Sequence, residues 1–202
     1  MARTGEFDLS PAEHPGSAAA PSEAPAIALR LAQARDIPAI AALIGISVRA
    51  LQAQHYSGAQ MDAALGPVFG VDRELIRDGT YFVAEHNGEI LGCGGWSRRQ
   101  SLFGSDAGRT AEQSALLDPM RDPARVRAFF VHPQWARRGI GRLILRACEL
   151  AMAQARFKSA ELVATLTGEP LYAAASYTAV QRYDIPLEGG MGLAVVRMVK
   201  TL

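Results

Sequence analysis

The run VRAFFVHPQWARRGIGRLILRACELAM, residues 126–152, constrains this chain more than any other. Its opening is apolar on both faces, as a central strand requires. Its end places Ile140, Leu143, Ile144, Ala147 and Ala151 at spacings of three and four, the buried stripe of an amphipathic helix. Only a short loop crowded with arginine and glycine separates the two, so the run reads as a strand–turn–helix unit of an α/β domain. The first turn of a helix carries partial positive charge and unpaired N–H groups, and arginines there cost roughly 0.3–1 kcal/mol each at an exposed site. Arg137, Arg138 and Arg142 therefore require an offsetting anion. Gly139 and Gly141 lack the Cβ atoms that would hold a ligand off the backbone, and the combination predicts a pyrophosphate cradle.

The bulk properties narrow the partners. A chain of 202 residues with 49% hydrophobic and 20% charged residues and a formal net charge of +1 fits one soluble domain. A nucleic-acid binder carries a basic excess over a whole face, whereas here the arginines are local, so nucleic acid is not expected as a partner. Cys93 and Cys148 sit among apolar residues and form neither a disulfide framework nor a zinc pattern, which predicts a reduced, cytoplasmic setting without a metal. No run of about 18 apolar residues exists, so no membrane span is expected. Residues 1–25 mix alanine, proline, serine and charge without period; Asp8, Pro11, Glu13 and Pro15 forbid a secretory h-region, and a disordered tail is expected ahead of a domain over 26–202.

Along that domain, Ile27–Leu31 alternates as a strand. Asp36 is placed to cap a helix with Pro38 in its first turn and Ile37, Ile40, Ala41 and Ile44 on one face. A looser helical region spans about residues 45–77 and breaks near Gly66-Pro67. Asn87-Gly88 is the strongest short turn signal available and predicts a hairpin between Tyr81–Glu85 and Glu89–Ser97. Residues 98–124 read as a long loop with a short helix around Ala111–Leu117. Strands at Arg125–Val131, Ala160–Leu166 and Leu193–Val199 and a short helix at Glu169–Ser176 complete an α/β domain of mixed strand direction. A dinucleotide fold fails because Ile144 stands at the third glycine of G-x-G-x-x-G and Glu161 opens its strand rather than ending it; a P-loop fails for lack of Gly-Lys-Ser/Thr.

These residues resemble the GCN5-related N-acetyltransferase superfamily from about Ile27 to the C-terminus. The family's Arg/Gln-x-x-Gly-x-Gly/Ala signature after a strand matches FFVHPQWARRGIGRL, except that its leading Arg/Gln falls on Ala136. A second signature, Asn-x-x-Ala-x-x-Phe/Leu-Tyr-x-x-x-Gly-Phe, is matched at Leu171 and Tyr172 and substituted at Thr165, Gly168, Ser176 and Tyr177. The resemblance implies a single domain with a mostly antiparallel mixed sheet flanked by helices. It implies direct transfer of the acetyl group of acetyl-CoA to a primary amine of a small molecule, peptide or protein, and families resembling this one commonly form homodimers.

By the same resemblance, backbone groups of Phe129, Phe130 and Val131 would bind the pantetheine arm and polarise the thioester. Arg137, Arg138, Gly139, Ile140, Gly141 and Arg142 would hold the pyrophosphate, Thr165 belongs with the cofactor positions, and Tyr172 is the candidate acid for the leaving thiolate. The general base stays unassigned, with Asp118 and Asp122 of the long loop as options. The acceptor pocket would be built by residues 45–70, 98–124 and 178–192, where Asp106, Glu112, Asp118 and Asp122 suit a cationic amine. His55, Tyr56 and Trp96 are equally explained by packing. The substitutions at Ala136, Thr165, Gly168 and Ser176 keep open a second reading, a non-catalytic acyl-CoA sensor of the same fold.

Overall fold

Asn87 and Gly88 both take left-handed dihedrals, φ 50° and 81°, the two-residue turn whose twist suits a hairpin. In the computed structural model, which describes residues 26–102 and 114–202, this turn joins β2 (Tyr81–His86) to β3 (Glu89–Ser97). β1 (Ala28–Leu31) lies antiparallel to β2, and β4 (Ala124–Val131) antiparallel to β3. β5 (Ser159–Thr165) runs parallel to β4; β7 (Gly192–Thr201) pairs antiparallel with β5, and β6 (Thr178–Pro186) antiparallel with β7. The seven-stranded sheet has the order β1-β2-β3-β4-β5-β7-β6. This is the mixed, mostly antiparallel α/β architecture expected, with β4 at its centre. The expected tail, Asp106, Glu112 and the first three residues, 111–113, of the expected helix at Ala111–Leu117 lie outside the described residues.

Helices cover both faces. α4 (Ile140–Gln154) buries Ile140, Ile144, Leu145, Cys148 and Met152 against Leu91, Val126 and Leu162. Its stripe is turned from the expected one: Leu143 faces solvent at 38% exposure, because the helix settles on the residues that meet the sheet rather than on the most apolar arc. On the other face α1 (Ile37–Leu51) buries Ile40, Leu43, Ile44 and Val48 beside Tyr81, Cys93 and Phe130. Each such side chain contributes about 1.5–3 kcal/mol on burial. Two short helices, α2 (Gly58–Ala64) and α3 (Arg73–Arg77), follow α1, and α5 (Glu169–Ala173) follows β5.

Three expectations are corrected. Asp36 does not cap α1 with its side chain; its carboxylate accepts from the Gln33 N–H at 2.7 Å and from Arg30 at 2.7 and 3.0 Å, closing a 3-10 turn before the helix. Residues 114–117 are turn and bridge, Leu116 pairing with Arg99, rather than the end of a helix. β6 is a strand where only connecting chain was read: it is an edge strand exposed on both faces over most of its length, so its side chains carry no alternation to betray it.

Burial leaves a pH signature. Burial pushes the Cys93 thiol up from 9.0 to about 12, and raises Cys148, Tyr81 and Tyr172 from their ordinary values. The folded state holds these protons to higher pH than the unfolded chain does. Stability from these groups is whole below about pH 9 and is lost as pH rises through the folded-state values. Urea midpoints are expected to be level from neutral pH to about 9 and to fall beyond it; a midpoint that holds at pH 10.5 would contradict this burial account.

Candidate functional site

The site originates in a strand pair that comes apart. β4 and β5 pair at only three positions, Ala124 with Ala160, Arg125 with Glu161 and Val126 with Leu162. Beyond them β5 stays with β7 as far as Thr165 and β4 stays with β3 as far as Val131. β4 is bulged at this point: Gly95 opposes Arg127 and Cys93 opposes Phe130, so Ala128 and Phe129 together face Gly94. Ala128 takes φ 61°, and the extra residue bends the strand where pairing with β5 ends. A Cβ on Gly94 would lie 2.6 Å from the Phe129 ring, so the bulge requires glycine opposite it.

Between the parted strands lies a cleft of about 820 Å³, within the usual range of small-molecule sites. Residues 126–131 of β4 form one wall, residues 163–168 the other, and Arg137 with residues 139–142 contribute from the loop and first turn of α4. The Val131 N–H points away from β3 and donates to Ser47 Oγ at 3.3 Å. Phe129, two residues before it and beside the bulge, also lines the cleft.

The expected cradle falls at the start of α4. Gly139 precedes the helix with φ 87° and no side chain caps it; Leu143 is the first residue whose N–H bonds back, to the Gly139 carbonyl at 2.9 Å. The N–H groups of Ile140, Gly141 and Arg142 thus have no helical acceptor. Arg137, at φ 63°, and Arg142 stand on the cleft wall, exposed and without a carboxylate partner among the described residues. Arg138 does not join them on the wall: its guanidinium stacks 5.0 Å over the Trp135 ring, which does line the cleft. The Ile140 side chain is core, so only its backbone is available. A Cβ at Gly139 would meet nothing within 4 Å, whereas one at Gly141 would sit 3.0 Å from Leu171 Cδ2. Gly141 serves the approach of α4 to α5.

Tyr172 lies on the cleft wall with its ring edge-on to Phe129 and Tyr177 at centroid distances of 6.0 and 5.9 Å. Burial, with Cys148 nearby, raises its phenol above the ordinary value, so it holds its proton at neutral pH. Thr165 is also on the wall, its Oγ1 accepting from the Gly168 N–H at 3.1 Å.

Other residues have structural work. Tyr56 donates to the Ala194 carbonyl at 2.6 Å and accepts from the Leu166 N–H at 2.9 Å, extending the β5–β7 seam. Trp96 packs on Phe157, and His132 Nδ1 accepts from the Gln134 N–H at the strand exit. Asp118 and Asp122 accept local backbone N–H groups in a tight turn and do not line the cleft, so neither is placed as a base. Of residues 178–192 only Ile185 reaches the cleft. Ser47 and Gln52 line the cleft from the 45–70 segment expected to build the acceptor pocket, whereas Arg127 also lines it and was not expected there. Arg127 is buried against Asp72 at 2.7 Å, Glu74 at 2.9 Å and the Ser101 carbonyl at 2.6 Å, pinning β4 to α3. Nothing in the local sequence announces that contact, because its partners are 53 or more residues away except for Ser101, at 26. Among the described residues no cluster of metal-ligating side chains occurs, and no helix is long and apolar enough to cross a membrane.

A mixed α/β sheet split between β4 and β5, with the N-terminus of α4 at the split, defines the class of fold. The chain belongs to the acetyltransferase (GNAT) domain family, whose model matches residues 77–179. Its fold is similar to that of a GCN5-related N-acetyltransferase from Rhodopseudomonas palustris, at 22% identity and TM-score 0.64 over 87% of this chain and 95% of that one. It is also similar to the PaiA N-acetyltransferase of Thermoplasma acidophilum in complex with coenzyme A, at 13% identity and TM-score 0.59 over 88% and 99% of the two chains. A third likeness is to yncA of Salmonella typhimurium with its cofactor acetyl-CoA, at 16% identity and TM-score 0.55 over 87% and 94%. No curated protein matches the chain by sequence.

Proposed function

We propose that this protein transfers the acetyl group of acetyl-CoA to a primary amine. The observation that carries this reading is the junction of the β4–β5 split with the bare N-terminus of α4: one continuous cleft offers an anion cradle at Gly139–Arg142 and free strand backbone at Phe129. Acetyl-CoA, when bound, supplies an activated acetyl thioester. The N–H groups of residues 140–142 with Arg137 and Arg142 would hold its pyrophosphate. The Phe129 N–H would donate to the thioester carbonyl as negative charge develops there, and a fixed backbone donor of that kind contributes strongly to such reactions. Tyr172, its ring against Phe129, keeps its proton at neutral pH and would donate it to the leaving thiolate of CoA. The remaining wall, with Leu51, Val68, Phe69 and Ile185 beside Gln52 and His55, favours an acceptor whose amine is carried on an apolar body.

Thermal unfolding with acetyl-CoA, with NAD and ATP as controls, tests the first half of this reading. A ligand at about 100 times its Kd stabilises by about 2.7 kcal/mol, several degrees for a chain of this size, and the shift is expected with acetyl-CoA alone. Thiol release with a panel of arylalkyl amines and polyamines tests the second, the arylalkyl amines being the better acceptors. Tyr172→Phe is expected to lower the turnover rate about 100-fold, the low end for a general acid, with acetyl-CoA affinity kept. Equal rates would remove Tyr172 as the acid. Binding without thiol release from any amine would favour the sensor reading.

A further inference from the structure

Ala128 is the strained point of β4, since φ 61° is a conformation that L side chains other than Asn and Asp rarely hold. The bulge also takes its carbonyl out of the regular ladder, and a buried carbonyl needs another donor. The donor comes from two strands away. Tyr81, at the start of β2 and 0% exposed, reaches past β3 and places its hydroxyl 3.2 Å from the Ala128 carbonyl and 3.2 Å from Cys93 Sγ. The same sulfur lies 3.9 Å from the Ala128 carbonyl and is acted on by the backbone N–H of Phe130. Gly95 makes the passage: a Cβ there would stand 3.0 Å from the Tyr81 ring and 2.7 Å from the Thr80 carbonyl.

We infer that Tyr81 and Cys93 form a clasp that holds Ala128 in its left-handed conformation, and so sets where the Phe129 N–H points. Tyr81 is then a positioning residue for the thioester carbonyl, an assignment that rests on the acetyl-transfer reading. The hydroxyl donates toward both the Ala128 carbonyl and Cys93 Sγ, and the Cys93 thiol in turn donates to the Ala128 carbonyl, so one O–H and one S–H converge on that carbonyl. A phenylalanine would fill nearly the same volume, so the choice of tyrosine is explained by the bond and not by packing.

Tyr81→Phe removes the bond and keeps the ring. It is expected to lower kcat for thiol release about 10–100-fold, the scale of a reacting group misplaced by about 1 Å, while affinity for free CoA is unchanged because the cradle is untouched. Amide hydrogen exchange at Phe129 and Phe130 in the ligand-free protein is expected to quicken. Adding Ala128→Gly, which accepts the positive φ without strain, is expected to restore most of the rate, a recovery that a merely structural loss would not show. Should Tyr81→Phe fail to fold, Cys93→Ala is read by the same amides. An unchanged kcat, or a lowered one with unchanged exchange and no recovery, overturns the clasp. If the native protein binds no acetyl-CoA, the acetyl-transfer reading falls and with it the thioester assignment, while exchange alone decides the clasp.

Discussion

Replacing Glu161 by alanine is expected to remove about 3–5 kcal/mol of folding stability, the usual result of deleting one partner from a buried ion pair. For a chain of this size that lowers the thermal midpoint by on the order of 10 °C. Glu161 is 2% exposed on β5 and its carboxylate is held by two arginines, Arg125 from β4 and Arg197 from β7. Arg125 is its direct partner across the parallel pair, and Arg197 lies diagonally across the antiparallel one. Without the carboxylate, two positive charges would face one another over the central strands. Arg125 suffers most, with 13% of its side chain exposed; Arg197, at 41%, can turn to water and contributes less. The triad sits at the vertex from which β4 and β5 diverge, so the loss should also loosen the cleft. Urea unfolding followed by tryptophan fluorescence measures it, and a loss under about 1 kcal/mol, typical of a surface pair, would show that the triad is not buried as described.

Charge reversal at the cradle is expected to have the larger functional effect and the opposite sign on stability. Arg137→Glu with Arg142→Glu should weaken acetyl-CoA binding about 100–10,000-fold, since each lost charge-assisted contact to a phosphate contributes roughly 1.5–3 kcal/mol. Both side chains are exposed on the cleft wall and serve no packing. Two negative charges near the start of α4 suit its dipole by about 0.3–1 kcal/mol each, so the ligand-free variant should unfold no earlier than the native protein. Arg138→Glu, which breaks only a stack on Trp135, is expected to do less. Isothermal calorimetry at two salt concentrations reads all three proteins; undiminished affinity in the double variant would remove the pyrophosphate from this loop.

Much of this was legible in the chain because it depends on neighbours in sequence. The hairpin at Asn87-Gly88, the helix after Gly139 and the strand before it are local events, set by positive φ, an apolar stripe and a β-rich run within a few residues. The proposed cradle is local too, since its N–H groups, glycine and arginines belong to one loop. β6 escaped notice because an edge strand need not alternate, and the turn of the α4 stripe away from Leu143 escaped because several arcs of that helix are apolar.

The chain order alone therefore carried the succession of strands and helices apart from β6, and the loop proposed as an anion site. The tertiary structure alone decided where β4 and β5 part, because that depends on a bulge at Ala128, on Gly94 opposite it and on Tyr81 reaching across from β2. It alone decided that Arg127 and Glu161 would be buried and that Asp118 and Asp122 would lie off the cleft. The physical reason is the range of the forces involved. Backbone dihedral preference and helix polarity act over a turn or two of chain, whereas a buried charge or carbonyl takes whatever partner the sheet brings within about 3 Å, however distant in sequence.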